Sequence, residues 1–392
     1  MVNTGGVREL ADTRPAGAPP RTGRDAMVGR IPAIDGLRVL AVVSVFARHA
    51  GLSHVDNGGV GVDVFFVISG FVITRLLVRE HDATGGIDLR RFYLARWRRL
   101  MPAAAVACLI MAVVSVTVGG RYGGEWRYSL LGLTYTMDFA AASGHFSLLL
   151  GHFWSLAVEE QFYLLWPLAL SGLLVLRARR NRSLLPVIIV LTVCVLPPLE
   201  RVLLWQAGLP NRDYYSPENR LDQLLAGCLL ALFLQHLGER PIPRWLSGGS
   251  RVLAWPAAAV LLLTVARWPA HPPLRHAGAY LTVGMSITAA ATVVVLASFV
   301  TGPRAVMSRL VGWRPLAWMG AQWSYGFYVF HYAVIAWFKN VHVAHRDVLS
   351  FLVSVAAAAA SWWLVERRFR RTHGQVTPRR PRRPLSRAST PG

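Results

Sequence analysis

The stretch AIDGLRVLAVVSVFARHA, Ala33–Ala50, is a mostly apolar segment that carries an arginine, Arg38, and a histidine, His49. At about 100° per residue, the eleven steps from Arg38 to His49 return to within roughly 20° of the starting direction, so a helix places both side chains on one face. With a rise of about 1.5 Å per residue, they stand roughly 16 Å apart along the axis, about half the apolar thickness of a bilayer. A line of polar groups on a membrane helix is costly unless it faces a wet cavity, so the spacing indicates a functional site. The alternative is that Arg38 anchors the segment at the headgroups and His49 marks its opposite end.

The composition of the whole chain indicates a polytopic membrane protein. Of its 392 residues, 54% are hydrophobic and 16% are charged, and the mean hydropathy is +0.39. Soluble domains average about 25% charged residues. The 42 Lys and Arg residues against 20 Asp and Glu give a net charge of +22. Because the basic residues cluster between apolar segments and in the tails, the positive-inside rule explains them better than nucleic-acid binding does.

The apolar runs predict an all-α membrane bundle of about ten transmembrane helices. The predicted segments are 33–51, 60–79, 100–118, 153–176, 184–206, 219–236, 252–268, 277–300, 318–338 and 347–366. Arginine-rich loops alternate with arginine-poor ones, which places both termini in the cytoplasm. We predict a disordered cytoplasmic leader over 1–30, a membrane domain over 31–370 and a disordered basic tail over 371–392. The three cysteines have no metal-ligand spacing, and no metal site is predicted.

Two arginines precede the third predicted membrane segment in FYLARWRRLMPAA, Phe92–Ala104. Arg96 and Arg99 are three residues apart and therefore share a helix face. Guanidinium groups pair with phosphates bidentately, so this face can hold a phosphorylated ligand at the inner surface. Control of topology is a compatible explanation for the same residues.

A carboxylate pair lies inside the fourth predicted segment, in HFWSLAVEEQFYLLWP, His152–Pro167. Glu159 and Glu160 are adjacent and point about 100° apart, so both cannot face one cavity squarely. Carboxylates within a membrane need partners, and the candidates are Arg38, His49 and Arg220.

A further histidine, His331, lies in the middle of the ninth predicted segment, in WSYGFYVFHYAVIAWF, Trp323–Phe338. A single buried histidine is more often structural than catalytic, and its pattern alone does not separate these roles. Asp63 lies near the outer end of the second segment, GGVGVDVFFVISGFVIT. The glycines of that segment allow close approach between helices, and ordinary helix packing is the expectation for Gly58, Gly59, Gly61 and Gly70.

With these motifs in order, the chain resembles the acyltransferase-3 family of bacterial integral-membrane O-acyltransferases, from about Ile31 to Arg370. The pieces that carry the resemblance are IDGLRVLAVV with its R-x10-H pair, GVDVFFVISGFVIT, FYLARWRRLMPA with its RxxR pair, FWSLAVEEQFYLLWP, NRLDQLLAG, YGFYVFHYAV and LVERRFR. The resemblance implies a multi-pass protein of the bacterial inner (plasma) membrane, in a stand-alone form without the SGNH hydrolase-like domain that some members carry.

The resemblance also implies the reaction. The expected donor is acyl-CoA, with acetyl-CoA as the simplest case, and no cofactor is expected to be bound permanently. The expected acceptor is a hydroxyl of a cell-surface polysaccharide, a glycolipid, peptidoglycan or a glycosylated macrolide-type metabolite. The expected partners are therefore acyl-CoA, this acceptor and the lipid bilayer, with no nucleic acid.

Within that reaction, His49 is the candidate general base, or else the residue that carries the acyl group covalently; the sequence leaves both open. Glu159 or Glu160 is expected to orient His49. Arg38 is expected near the thioester, with Asp35 one turn away as its partner.

The expected donor-binding residues are Arg96, Arg99 and Arg220, with the first two on the phosphates of coenzyme A. We expect one water-accessible cavity onto which both the imidazole of His49 and the inner arginines open.

Two other classes of membrane protein share this number of helices. A transporter or flippase is disfavoured because no internal repeat is visible. A polytopic glycosyltransferase is disfavoured because loop 119–152 is poor in acidic residues.

Overall fold

The computed structural model describes residues 21–180, 184–268, 274–340 and 343–370, and within these ranges it contains helices and no β-strand. The α-helices are α1 (Gly23–Met27), α2 (Pro32–Ala50), α3 (Val60–Thr84), α4 (Leu89–Val118), α5 (Trp126–Leu133), α6 (Met137–Ala142), α7 (Phe153–Arg180), α8 (Leu185–Cys194), α9 (Leu196–Gln206), α10 (Pro210–Tyr215), α11 (Leu221–Leu237), α12 (Arg244–Arg267), α13 (Met285–Thr301), α14 (Val306–Val311), α15 (Arg314–Gln322), α16 (Ser324–Phe338), α17 (Arg346–Ser361) and α18 (Arg367–Arg370). Short 3₁₀ helices cover Gly120–Tyr122, Glu218–Arg220 and Leu274–His276, and π-helical turns cover Tyr280–Gly284 and Trp362–Glu366.

Seven helical spans in the described ranges are long and apolar enough to cross a membrane. They are Val60–Thr84, Leu89–Val118, Phe153–Arg180, Leu185–Gln206, Arg244–Arg267, Tyr280–Thr301 and Arg346–Phe369. The prediction of an all-α membrane helix bundle is confirmed. The number of crossings, about ten, and the cytoplasmic placement of both termini stay predictions.

Three predicted segments form helices that are not among these seven spans. Segment 33–51 corresponds to the 19 residues of α2, and segment 219–236 to the 17 residues of α11. Segment 318–338 is divided between α15 and α16 by a break at Trp323. Segment 184–206 is also interrupted, at Val195, because Pro197 and Pro198 cannot donate backbone hydrogen bonds to the preceding turn.

The centre of the bundle is the crossing of α3 and α11. A Cβ atom on Gly70 would lie 1.8 Å from the carbonyl oxygen of Leu224, and one on Gly227 would lie 2.0 Å from that of Val67. Only glycine allows the two backbones to come this close. The expectation that Gly70 serves helix packing is confirmed, and α3 is thereby fixed as one wall of the site described below.

The residues 21–30, which the sequence pattern assigned to a disordered leader, are folded against the bundle. The buried Arg75 donates from Nε to the carbonyl oxygen of Met27 at 3.0 Å and from Nη2 to that of Gly29 at 2.5 Å. The backbone N–H of Gly23 donates to Arg240 at 3.1 Å. The remainder of the predicted leader, 1–20, and the predicted tail, 371–392, lie outside the described residues.

The segment 119–152 is not an open loop, because it folds into the short helices α5 and α6. Glu125 accepts hydrogen bonds from the hydroxyl of Ser147 and, at 3.0 Å and 3.3 Å, from the backbone N–H groups of Leu148 and Leu149. A carboxylate that accepts several N–H and O–H bonds holds a turn firmly. This turn leads directly into His152 at the start of α7.

Candidate active site

A cavity of about 800 Å³ lies between α3, α4, α7 and α16. Its lining includes exposed residues at the end of α3 and the start of α4, such as Thr84 and Arg91, so it opens where the predicted topology places the cytoplasm. Further inside the bundle its walls are apolar and include Val62, Phe65 and Ile73. The cavity therefore has a polar mouth on the predicted cytoplasmic side and an apolar end deeper in the bundle.

Arginines dominate the charged lining of this cavity. They are Arg38, Arg79, Arg91, Arg96 and Arg99, against the carboxylates of Glu80 and Glu159. The structure thus brings together four of the residues predicted for the site, namely Arg38, Arg96, Arg99 and Glu159. An excess of guanidinium groups at the mouth makes it suited to an anionic ligand.

Glu160 is the ionic partner of Arg96 rather than of Arg38 or His49 on α2. The Nη2 atom of Arg96 lies 3.5 Å from Oε1 of Glu160, and its guanidinium carbon lies 3.5 Å from the centre of the Tyr163 ring. A carboxylate on one side and an aromatic face on the other hold this guanidinium in place. Arg96 is therefore a pre-oriented element of the cavity wall.

Glu159 faces the cavity and accepts hydrogen bonds from the hydroxyls of Ser69 and Tyr163. Neither Glu159 nor Glu160 contacts His49, so the expectation that one of them orients His49 is wrong. The partners of the two glutamates are Ser69, Tyr163 and Arg96, whereas the partner of His49 is His331. Glu159 thus belongs to the wall of the cavity and Glu160 to the surroundings of Arg96.

Arg38 lines the cavity and is paired with Asp35, as predicted. Its Nη1 atom lies 2.9 Å from Oδ1 of Asp35, one helical turn earlier on α2. Arg30 donates to the other oxygen of the same carboxylate at 2.8 Å. Asp35 thereby links the folded N-terminal segment to the charged wall of the cavity.

His49 is paired with a second histidine. Its Nδ1 atom lies 2.9 Å from Nε2 of His331, and the two rings are stacked with their centres 5.2 Å apart. His331 is fully buried, whereas His49 is partly exposed. A third imidazole, His152, lies 5.1 Å from the ring of His331. The true neighbours of His49 are therefore imidazoles on other elements.

A thin partition separates these histidines from the cavity. Tyr328 lines the cavity, and its ring centre is also 5.5 Å from that of His331. Its hydroxyl lies 2.5 Å from Oγ of Ser155 and donates to the carbonyl oxygen of His152 at 3.1 Å. His49 is not among the residues that line the cavity. In the part of the chain that the structure describes, the expected continuous opening from the inner arginines to His49 is therefore absent, and the barrier is the hydrogen-bonded side chain of Tyr328 with Phe65 beside it.

Arg220 does not line the cavity; it is fully buried and is bound to other residues. It lies 2.9 Å from Oδ1 of Asp63 through Nη1, and its Nε donates to the carbonyl oxygen of Tyr214 at 2.7 Å. Its guanidinium stacks 4.2 Å from the ring of Tyr214 and 5.1 Å from that of Trp154. The structure thus removes Arg220 from the predicted donor-binding set, because a buried cation with this many partners is part of the fold.

Three residues near the site were not assigned a role by sequence reasoning. His331 stood out only as a buried histidine in YGFYVFHYAV, and its pairing with His49 spans 282 positions of the chain. Ser155 and Tyr328 fall among ordinary membrane-helix residues, and no local signal shows that they face each other. Their roles depend on tertiary contacts that a single sequence does not display.

Taken together, the helix bundle and its contents define a membrane protein with a cation-lined cavity for an anionic ligand and an imidazole pair one residue beyond it. Comparison with known proteins agrees with this class. The family described as an acyltransferase domain matches residues 31–367. The chain therefore belongs to the acyltransferase-3 family.

Individual relatives give the same answer. YrhL of Bacillus subtilis is 33% identical over 362 residues, which cover 87% of this chain and 55% of YrhL. The peptidoglycan O-acetyltransferase OatA of Listeria monocytogenes is 30% identical over 83% of this chain and 53% of its own length. The O-acetyltransferase OatA of Staphylococcus aureus is 28% identical over 86% of this chain and 56% of its own length. The chain thus spans about half the length of the curated relatives it matches. No solved structure matches it.

Proposed function

We propose that this chain is an O-acyltransferase of a bacterial inner (plasma) membrane. It moves a short acyl group, such as acetyl, from cytoplasmic acyl-CoA to a hydroxyl of a carbohydrate-containing acceptor. The single observation that carries this proposal is the arginine-lined cavity that ends one side chain short of the His49–His331 pair.

The cavity suits the donor in size and in polarity. Ligand pockets commonly measure about 300–1,000 Å³, and this one measures about 800 Å³. Arg96 and Arg99 at its mouth match the phosphates of coenzyme A, since guanidinium and phosphate pair bidentately. The apolar end of the cavity deep in the bundle, with Val62 and Phe65, suits the thioester end of acyl-CoA.

The histidine pair supplies the chemistry. As a general base, His49 takes the proton of the acceptor hydroxyl while the oxygen attacks the thioester carbonyl. The acyl–oxygen bond forms, the carbon–sulfur bond breaks, and the proton passes to the departing sulfur to give the free thiol of coenzyme A. As a covalent carrier, His49 attacks the thioester carbonyl, so that an acyl–nitrogen bond forms and the carbon–sulfur bond breaks with release of the coenzyme A thiolate. The acceptor oxygen then attacks the acyl group, the acyl–nitrogen bond breaks, and the hydroxyl proton neutralises the thiolate. Both routes need a free lone pair on His49.

The relatives support a carbohydrate acceptor. OatA of Listeria monocytogenes is named for O-acetylation of peptidoglycan, which is a glycan polymer. A cell-surface polysaccharide, a glycolipid or a glycosylated macrolide-type metabolite presents the same kind of hydroxyl. We propose an acceptor of this chemical class and do not specify which molecule of the class it is.

The test uses the full chain, purified and reconstituted in vesicles with ¹⁴C-acetyl-CoA, together with membranes that hold the cell's own glycans and lipids. An acyltransferase releases the coenzyme A thiol and transfers the label to an acceptor; a transporter does neither. The matched variant is His49→Asn, because its amide keeps a donor near the position of Nδ1 and lacks any group at the position of Nε2. We expect His49→Asn to bind acetyl-CoA normally and to transfer nothing. Full transfer by a normally expressed His49→Asn protein would falsify the role of His49.

A further inference from the structure

The main chain of α16 fixes which nitrogen of His331 carries its proton. Nδ1 of His331 lies 2.7 Å from the carbonyl oxygen of Tyr328 and 3.2 Å from that of Phe327. A carbonyl oxygen can only accept a hydrogen bond, so Nδ1 is the donor. In a neutral imidazole the other nitrogen, Nε2, then has a lone pair and can only accept.

The tautomer of His331 determines the tautomer of His49. Because Nε2 of His331 accepts, Nδ1 of His49 at 2.9 Å must be the donor. The single proton of a neutral His49 is therefore on Nδ1, and its lone pair is on Nε2. Within the described residues, no hydrogen bond occupies Nε2 of His49, and His49 is a partly exposed residue whereas His331 is fully buried. The reactive nitrogen is thus the one left open.

The surroundings favour the neutral form of both rings. Phe46 and Phe327 pack on His331 with ring centres 6.4 Å and 5.9 Å away, and Tyr332 packs on His49 at 4.8 Å. No carboxylate of the described residues makes a hydrogen bond or ion pair with either ring. A buried charge without a counter-charge is costly, so neither ring gains from being protonated in the resting protein.

We propose that His331 is the positioning residue of this site: it holds His49 in the tautomer that presents Nε2 to the reacting hydroxyl or thioester. The proposal rests on the proposed function. In many sites that pair a base with a nucleophile, a third group orients the base, and that group is commonly a carboxylate. Here a neutral imidazole takes that place, and it is itself oriented by two backbone carbonyls of α16.

The proton balance of the reaction does not involve His331. The hydroxyl proton moves to Nε2 of His49 and from there to the departing sulfur, while Nδ1 of His49 keeps donating to His331 throughout. His331 neither gains nor loses a proton, and it touches neither donor nor acceptor. Its contribution is orientation, which a neutral hydrogen-bond acceptor of the right reach can replace.

That property gives a matched pair of variants. In His331→Gln the side-chain oxygen can reach the position of Nε2 and accept from His49, whereas in His331→Asn the amide reaches only the position of Nδ1. We expect His331→Asn to lower kcat by at least about 100-fold, the lower end of what a positioned base contributes, with an unchanged KM for acetyl-CoA. We expect His331→Gln to keep kcat within about tenfold of the wild type. Equal losses in both variants, or a wild-type kcat in His331→Asn, would overturn the proposal.

A second measurement is independent of activity. The ¹⁵N chemical shifts of the ring nitrogens of His49, measured by solid-state NMR on the reconstituted wild-type protein, report which nitrogen carries the proton. We expect the proton on Nδ1 in the wild type and in His331→Gln, and a mixture of tautomers in His331→Asn. A wild-type proton on Nε2 refutes the positioning role even if acyl transfer is confirmed. The expected tautomer in a protein that consumes no acetyl-CoA upholds the geometry and refutes the proposed function instead.

Discussion

Replacing Arg220 by methionine separates a structural arginine from a ligand-binding one. The side chain is fully buried, and it holds Asp63 at 2.9 Å, the carbonyl oxygen of Tyr214 at 2.7 Å and two aromatic faces. Methionine fills similar space but leaves the carboxylate of Asp63 with the hydroxyl of Tyr280 as its one remaining hydrogen-bond partner among the described residues. Removing one member of a buried ion pair costs about 3–5 kcal/mol because the other charge stays buried without compensation. We expect Arg220→Met to lose that much of its free energy of unfolding.

Two comparisons make this prediction specific. In Asp63→Leu/Arg220→Met the uncompensated charge is gone, so we expect much of the lost stability to return. Arg99→Met is the comparison variant, since Arg99 lines the cavity and is not fully buried; it should lose less stability than Arg220→Met and raise the dissociation constant of acetyl-CoA. The free energies come from SDS titration in mixed micelles, and the dissociation constants from calorimetry on folded protein. An Arg220→Met protein of normal stability that binds acetyl-CoA weakly would refute the structural role of Arg220 and support its role in donor binding.

Three further predictions follow from single contacts. Arg96→Ala combined with Arg99→Ala should weaken acetyl-CoA binding by about 10–100-fold, because each charged hydrogen bond contributes about 1.5–3 kcal/mol and water replaces part of this. An unchanged dissociation constant would count against the binding of the phosphates by these two arginines. Tyr328→Phe removes the hydroxyl that closes the partition, so acetyl-CoA should be hydrolysed faster without acceptor, and a wild-type rate of thiol release would argue against a barrier role. Asp213 on α10 has both carboxylate oxygens buried without a hydrogen-bond partner, and burial raises its pKa from 3.8 to about 7. A raised folded-state pKa contributes stability below about pH 4 that is lost as pH rises towards 7, so the unfolding temperature of the wild type should fall across this interval relative to Asp213→Asn, and parallel curves would contradict the assignment.

Much of the fold is predictable because membrane helices are specified locally. A run of apolar residues that is long enough to span a bilayer must satisfy its backbone within itself, so α3, α4 and α7 follow from hydropathy alone. The interruptions are harder to place. Pro197 and Pro198 signal the break between α8 and α9, whereas nothing comparable precedes the break at Trp323. The folding of residues 21–30 depends on Arg75, which is far away in sequence.

The residues of the site also fall into those that local sequence patterns predict and those that depend on contacts distant in sequence. Arg96 and Arg99 were assigned to the cavity because their spacing defines a face of one helix, and that information is local. Arg220 was misassigned because its partner, Asp63, is 157 positions away, so sequence shows a buried charge but not what neutralises it. The partner of His49 was sought among carboxylates for the same reason, since a single sequence does not show that His331 lies across the bundle.

If the cavity holds acyl-CoA, as we propose, the position of the partition explains how one membrane site can hold a thioester and a base without loss of the donor to hydrolysis. In the proposed function the donor meets Tyr328 and not His49, so a base that could also activate water is kept from the thioester in this state. The barrier consists of two hydrogen bonds at the hydroxyl group of Tyr328: it donates one to the carbonyl oxygen of His152, and it forms the other with Oγ of Ser155, from which it can accept. At about 0.5–1.5 kcal/mol net for each bond, opening it costs about 1–3 kcal/mol, which the binding of a phosphate-rich donor can offset. Displacing Tyr328 therefore removes the hydrogen-bonded part of the partition, and donor binding favours that state to the extent that the donor binds it more tightly than the closed one.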